Sequence, residues 1–366
     1  MKIATICGTR PEIIRLSRVI DLLDQHCDHK LVYTGQNHDP NLSTIFFDEL
    51  NVRKPDAWWN VQARNFGEQI GKIVGEAVDY FTAEQPDRVL ILGDTNSGLA
   101  AIAAARLGIP VYHMEAGNRC YDNRVPEEVN RRVIDHSSEV LLPYTHRSKE
   151  NLLAEGIHRD RIFVTGNPIF EVLEHYAPEI EAATILERLE LNKGGYFAVT
   201  LHRSENVDNE ARLSLLLAGL DLIAEHFKRP VIASLHPRTA DKIQKFDLSP
   251  KSSLVRFVTP MGFHDFVKLE KNAFAVLTDS GTVQEEAAIL KVPNVIVRDV
   301  TERGEVIEEG AGILSGAKPD EILRALKFAV ASATDWTLPK EYLQPNVASI
   351  VSRIVLGYRR PARAAA

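Results

Sequence analysis

Lys2-Ile3-Ala4-Thr5-Ile6-Cys7-Gly8-Thr9-Arg10-Pro11-Glu12 reads as a short apolar strand, a glycine turn and the first turn of a helix carrying proline near its start. It opens an alternation of brief β-rich runs with longer segments of helical period, the pattern of βαβ units and a parallel sheet. Further strands are predicted over 30–34, 88–92, 111–114 and 139–142. The clearest helical stretches are 69–83 and 96–107, and both end shortly before a proline that introduces an apolar run. After Gly194-Gly195 the alternation restarts, with strands predicted over 196–200, 230–234, 255–258, 275–278 and 294–297.

Two such series imply an α/β chain of two Rossmann-like domains, 1–170 and 183–344, facing across a cleft. The segment 165–183, with Gly166, Pro168 and Pro178, is read as linker plus bridging helix. A helix over roughly 345–356 is expected to cross back, so that 345–366 packs on the first domain. The small basic tail 359–366 is assigned no function.

The chain has 366 residues, enough for two buried cores. Its 45% hydrophobic and 25% charged composition is that of an ordinary soluble globular protein. A net charge of -7 argues against nonspecific nucleic-acid binding, so an anionic ligand has to be met by local basic groups. Cys7, Cys27 and Cys120 form no CxxC pair, which fits a reducing cytoplasm. No signal peptide and no stretch of membrane-spanning length is read. Spacings such as HExxH, GxGxxG, GxSxG and a Walker loop are absent, and no metal is expected.

In open parallel sheets ligands lie beyond the carboxyl ends of the strands. Those positions hold Gly8 to Glu12, Gly93-Asp94-Thr95-Asn96 and Glu115-Ala116-Gly117 in the first series. In the second they hold His202-Arg203, His236-Pro237-Arg238, Asp279-Ser280-Gly281-Thr282 and residues 298–303. The run Thr278 to Glu286 reads as strand, tight turn and helix, where free N–H groups and the helix dipole suit a diphosphate; Asp279 or Ser280 serves equally as a plain helix cap. Glu286 faces the same ligand as an acceptor for two ribose hydroxyls, and Arg10 and Arg303 are placed for forked bonds to phosphate. Asp94, Glu115, Glu127, Glu128 and His202 are the acid and base candidates. Glu127 and Glu128 also fit a first helical turn after Pro126, and His113, His136, His202 and His236 each fit an ordinary structural histidine.

Together, Gly8 to Glu12, Thr34-Gly35-Gln36, Gly93-Asp94-Thr95, His113 to Gly117, Pro126 to Arg131, Thr278 to Gly281 and Thr301-Glu302-Arg303 resemble the non-hydrolysing UDP-N-acetylglucosamine 2-epimerases, in matching order along almost the whole chain. Ile13 to Ile20, Met114 to Asp122 and Gly262 to Asp265 resemble, more closely, the subgroup that makes UDP-N-acetyl-L-fucosamine from a UDP-2-acetamido-2,6-dideoxy-L-talose. The resemblance implies a GT-B-like fold, a homodimer, a UDP-linked 2-acetamido sugar as substrate, no cofactor, and service to surface polysaccharide synthesis. It implies that the first domain supplies acid and base carboxylates Asp94, Glu115 and Glu127 and the second binds UDP, with His202 near the leaving phosphate. Arg10, Phe266, Ser280, Gly281, Glu286 and Arg303 match its UDP-binding positions, and Arg15 and Thr282 join the substrate-binding set. Arg15 stands for the family's lysine, Thr282 for a second glycine, Gly304 for a proline, and Asn37 for a histidine of a regulatory site.

Two other function classes fit parts of this pattern. A GT-B glycosyltransferase shares the fold and nucleotide site but needs an acceptor pocket. A noncatalytic nucleotide-sugar sensor keeps Arg10, Ser280 and Arg303 yet has no use for Asp94, Glu115 and Glu127.

Overall fold

The computed structural model describes residues 1–35, 40–332 and 334–358, with 40–44 as backbone only. Gln36, Asn37 and the tail 359–366 lie outside the described residues. The chain forms two compact units, Met1–Glu174 with Lys340–Ala366, and His175–Pro339.

The first unit is built on six parallel strands: β1 Lys2–Cys7, β2 Asp28–Tyr33, β3 Ala57–Trp58, β4 Arg88–Leu92, β5 Val111–Met114 and β6 Val140–Leu142. Their order is β3-β2-β1-β4-β5-β6. Ile3 to Cys7 and all of β4 and β5 are buried, as strands covered on both faces must be. Helix Arg10–His26 follows β1 and buries Ile13, Ile14, Leu16, Val19, Ile20 and Leu23, an apolar stripe of helical period.

The second unit repeats the plan with β7 Phe197–Leu201, β8 Val231–Leu235, β9 Val255–Val258, β10 Ala275–Thr278, β11 Asn294–Ile296 and β12 Ile313–Leu314, in the order β12-β11-β10-β7-β8-β9. Every pairing is parallel. Helix Glu210–Phe227 starts on Asn209, whose side chain accepts from the Arg212 N–H at 3.0 Å, and packs with helix Pro319–Ala331 against one face. The opposite face buries Tyr196, Ile232, Leu269, Val276, Val283 and Ala287.

Strands β1, β4, β5, β9 and β10 have the expected limits, and the other predicted strands shift by one or two residues. The two-residue edge strands β3 and β12 were not anticipated, because two residues carry no periodic signal. The stretch 96–107 begins as a 3-10 turn, Asn96–Leu99, before helix Ala100–Arg106. Asn, Ser and Gly there are weak helix formers, and Ser97 Oγ is tied to Thr34 Oγ1 at 2.7 Å. The bridging segment is two helices, Pro168–His175 and Ala177–Ala182.

The chain returns to the first unit at 340 rather than 345, because the Asn167 N–H donates to Glu341 O at 2.8 Å and Tyr342 is buried. Helix Val347–Gly357 then packs on helix Arg10–His26. Its end is held by Arg88, which donates to Val355 O, and by the Tyr112 hydroxyl, which donates to Tyr358 O at 2.6 Å.

Gly117 ends the turn after β5 with φ +81°, and a Cβ there would stand 2.2 Å from Ser148 O and 2.8 Å from Leu152 Cγ. Gly71, inside helix Phe66–Glu84, has nothing within 4 Å of the same position. Gly117→Ala is expected to cost at least ~2 kcal/mol through strain and overpacking, whereas Gly71→Ala stabilises by up to ~1 kcal/mol. Urea unfolding of the two variants would show opposite shifts of midpoint.

Candidate functional site

The carboxyl ends of β1, β4 and β5 gather the first unit's polar groups. Glu12, four residues beyond Gly8, turns back and accepts the Gly8 N–H at 2.6 Å and the Thr9 N–H at 2.7 Å. Its other oxygen accepts the Thr95 hydroxyl at 2.7 Å. Burial outweighs these donors and holds the Glu12 carboxyl up at about 7.

Glu115 follows β5 in a left-handed conformation, φ +66°, a cost that non-glycine residues bear chiefly at functional sites. Its carboxylate forms a buried ion pair with Arg15, whose guanidinium also lies 5.8 Å from the Tyr144 ring centre. Asp94, after β4, is paired with Arg131, Nε at 2.8 Å and Nη2 at 2.7 Å. Asn130 donates to the Asp94 carbonyl at 3.0 Å. Both partners sit on helix Pro126–Ser137, the helix that carries Glu127 in its first turn.

Neighbouring Glu128 has a different task. It accepts the Cys120 and Tyr121 N–H groups, each at 3.0 Å, and Arg131 Nη1 at 2.7 Å. Although burial raises it, those donors and the Arg131 charge bring its carboxyl below the usual range. Glu128 thus fixes the loop at Cys120 and Tyr121, and Glu127 beside it is half-buried. Arg10 lies over the Phe46 ring at 5.5 Å.

His113 is a structural histidine, its two ring nitrogens 2.8 Å from Asp135 Oδ1 and 2.8 Å from Gly93 O. Asp135 also binds Arg119 at 2.7 Å and the Gly117 N–H at 3.1 Å. His136 bonds the Arg132 carbonyl within its own helix, and His236 accepts the Arg238 N–H at 3.2 Å as the cap of helix Pro237–Lys245.

In the second unit Asp279 ends β10 fully buried. It accepts the His202 and Arg203 N–H groups and the Asn206 amide, all at 3.0 Å, and His202 Nδ1 stands 3.1 Å away. Burial opposes ionisation, but the His202 charge and these donors prevail and bring Asp279 to about 2. With Nδ1 engaged, Nε2 of the one-third exposed His202 is the nitrogen presented to a ligand.

Ser280 caps helix Gly281–Ile289, its hydroxyl accepting the Val283 N–H at 3.5 Å. A Cβ at Gly281 would stand 3.7 Å from Arg203 Nη2, 3.7 Å from Arg303 Nη2 and 2.6 Å from Glu302 Oε1. The helix therefore begins between two guanidinium groups, with Thr282 half-buried in its first turn. Each cation is steadied by an acid, Arg303 by Glu285 at 2.7 Å and Arg203 by Glu302 at 3.5 Å, and Arg298 holds Glu302 in turn at 2.9 Å. Such an end, with backbone N–H groups, a dipole and fixed cations, is suited to a diphosphate. Phe266 packs against the apolar cluster that includes Val283 and Ala287 of this helix, and Glu286 is buried farther along it.

In the first unit Arg15 meets Glu115, Asp94 is held by the helix that carries Glu127, and Arg10 is placed against Phe46; in the second His202 meets Asp279, Ser280, Gly281 and Thr282 open the helix that carries Glu286 beside Arg303, and Phe266 packs against that helix's apolar cluster. Sequence reasoning passed over Glu12, Arg131, Arg203, Arg298 and Glu302, although their positions beside strand ends or one helical turn from a candidate acid were visible signals. Among the described residues no group of three or more His, Cys, Asp or Glu could hold a metal, and no helix is long and apolar enough to cross a membrane.

A family model described as UDP-N-acetylglucosamine 2-epimerase matches residues 22–355. The UDP-N-acetylglucosamine 2-epimerase of Methanocaldococcus jannaschii is 41% identical over 347 residues, 93% of this chain and 95% of that protein. A UDP-2,3-diacetamido-2,3-dideoxy-D-glucuronate 2-epimerase of Pseudomonas aeruginosa is 36% identical, with 90% and 92% covered. The crystal structure of the M. jannaschii enzyme in complex with UDP-GlcNAc and UDP matches with a TM-score of 0.92 at 38% identity, covering 97% of this chain and 99% of that one. Sequence, fold and the order of the polar strand ends agree, and the chain belongs to the UDP-N-acetylglucosamine 2-epimerase family, making it an isomerase.

Proposed function

We propose that this protein inverts C2 of a UDP-2-acetamido sugar by anti elimination of UDP to a 2-acetamidoglycal, followed by re-addition with a proton delivered to the opposite face of C2. The observation that carries this reading is the second unit's anion site, where helix Gly281–Ile289 starts between Arg203 and Arg303 with His202 oriented by Asp279.

The C2 proton is not adjacent to a carbonyl and is feebly acidic. Its removal has to be coupled to departure of an anion, and preorganised cations and N–H groups that receive the developing charge on UDP supply the coupling. Arg10, Arg15, Phe266, Ser280, Gly281, Thr282, Glu286 and Arg303 bind the substrate, and His202 serves the phosphate oxygen as the C1–O bond breaks and re-forms. Inversion needs an acceptor on one face of C2 and a donor on the other. Asp94, Glu115 and Glu127 fill those roles. Protein made in the cytoplasm as a homodimer completes the reading.

For the sugar itself we infer UDP-2-acetamido-2,6-dideoxy-L-talose, giving UDP-N-acetyl-L-fucosamine for surface polysaccharide. Support comes from the sequences 13–20, 114–122 and 262–265. The P. aeruginosa relative, named for a diacetamido glucuronate, adds to it: C2 inversion is common to relatives named for sugars that differ at C3 and C6.

Turnover in deuterated water is expected to place deuterium at C2 of product and of recovered substrate, read by NMR; protium at C2 in both would exclude the elimination route. Glu115→Gln should keep UDP affinity while lowering kcat by at least ~100-fold, the scale of a lost acid or base group, and near-normal turnover would remove Glu115 from the chemistry. In a panel of substrates kcat/KM should favour the 2,6-dideoxy-L-talose nucleotide over UDP-N-acetylglucosamine by at least ~10-fold, about one well-placed apolar contact; the reverse order would assign the protein to the N-acetylglucosamine branch.

A further inference from the structure

A chain of buried charged groups joins the turns that carry Asp94 and Glu115. His113 of β5 is 1% exposed and Asp135 of helix Pro126–Ser137 is 0% exposed. His113 Nδ1 stands 2.8 Å from Asp135 Oδ1, and Nε2 stands 2.8 Å from Gly93 O. Asp135 Oδ2 accepts the Gly117 N–H at 3.1 Å and Arg119 Nη2 at 2.7 Å. Arg119 is in turn forked onto Glu155, Nε to Oε1 at 2.7 Å and Nη2 to Oε2 at 2.6 Å.

A carbonyl oxygen only accepts, and so does an ionised carboxylate. Burial opposes ionisation of Asp135, but the hydrogen bond and charge of His113 and the Arg119 charge outweigh it and hold the carboxyl below the usual range. Both ring nitrogens of His113 therefore face acceptors, and His113 donates from each. A ring with one bare nitrogen would set lone pair against lone pair at 2.8 Å. With both protons in place the buried charges balance, Arg119 against Glu155 and His113 against Asp135, as charges out of water must.

These bonds act on backbone that regular structure does not hold. Gly93, Glu115 and Gly117 have φ +79°, +66° and +81°. The Gly93 carbonyl lies in the peptide plane before Asp94, and the Asp94 carbonyl, in the plane after it, accepts Asn130 Nδ2 at 3.0 Å. With both planes fixed, the direction of the Asp94 side chain is fixed as well. We propose that His113 is a positioning residue for proton transfer at C2: protonated on both ring nitrogens and anchored by Asp135, it holds the turn of Asp94, while Asp135 holds the turn of Glu115 through Gly117. The proposal rests on the acid and base roles proposed for Asp94 and Glu115. One buried pair thereby sets two of the reacting carboxylates relative to each other.

Two amides divide the imidazole between them and supply the test. The glutamine amide nitrogen reaches the place of Nε2 and still donates to Gly93 O, whereas the asparagine amide nitrogen takes the place of Nδ1 and donates only to Asp135. His113→Asn should lower kcat on a UDP-2-acetamido sugar at least ~10-fold, within the range of a misplaced reactive group, with KM and the Kd for UDP nearly unchanged. His113→Gln should recover most of that turnover. A role in stability alone gives glutamine no advantage in kcat when the urea midpoints of the two variants match. Equal losses in both, or no loss in His113→Asn, would overturn the proposal. NMR of the parent protein carrying 15N-labelled histidine decides even if neither variant folds: at neutral pH each ring nitrogen of His113 should bear a proton, and one bare nitrogen would overturn the proposal. Asp94→Asn and Glu115→Gln separate the two levels. If both keep near-normal turnover, the acid and base reading itself fails; if they abolish turnover while His113→Asn does not, only the positioning role fails.

Discussion

A buried carboxylate joins the two central strand ends in each unit, and the arrangement of the site depends on it. In the second unit Asp279 follows β10 and binds the backbone that follows β7. In the first, Glu12 binds the turn after β1 and reaches Thr95 after β4. β1 and β4, like β7 and β10, are the neighbours at which strand order reverses. Chain connections leave in opposite directions there and open a crevice at the sheet edge. Loops diverging from such a point have no shared secondary structure to hold them. A carboxylate, with up to four acceptor positions, can gather several N–H and O–H donors at once.

The two staples differ in charge. Asp279 is held at about 2 by the His202 charge and its donors despite burial, whereas Glu12, whose donors are the neutral groups of Gly8, Thr9 and Thr95, is left at about 7 by desolvation. The fully ionised one stands beside the proposed leaving-group site, where its charge fixes which nitrogen of His202 faces outward. The same logic governs the guanidinium groups around Gly281. A chain of net charge -7 forms an anion site by holding each arginine against an acid, Arg203 against Glu302 and Arg303 against Glu285. Fixed cations then need no rearrangement when negative charge arrives.

Much of this was legible in the sequence, for a physical reason. Buried parallel strands are continuous apolar runs, so their ends are marked where polarity begins, and the rule that ligands sit at those ends selected Asp94, Glu115, His202 and Ser280. The signal failed where side chains act on one another rather than on a ligand. Asp279 and Glu128 are explained as a helix cap and a first-turn acid by local pattern alone, and only the fold shows that they hold other loops. Arg131 lies inside helix Pro126–Ser137, where period tells which face is buried but not which partner it meets. The strands β3 and β12 were missed because sheet pairing alone makes two residues a strand.

Glu115 shows how local strain and buried charge combine. Its left-handed backbone is a conformation that a side chain with a Cβ adopts at a cost of ~1–3 kcal/mol, and its carboxylate and Arg15 are both nearly inaccessible to solvent. Two buried charges are retained only with close pairing, and breaking such a pair by removing one partner costs ~3–5 kcal/mol. The pairing opposes relaxation of the backbone, since an extended conformation would swing the carboxylate away from Arg15 and break a buried ion pair. Arg15 is itself fixed in helix Arg10–His26, whose first turn is held by Glu12. The carboxylate at the end of β5 is therefore oriented through the same staple that joins β1 to β4.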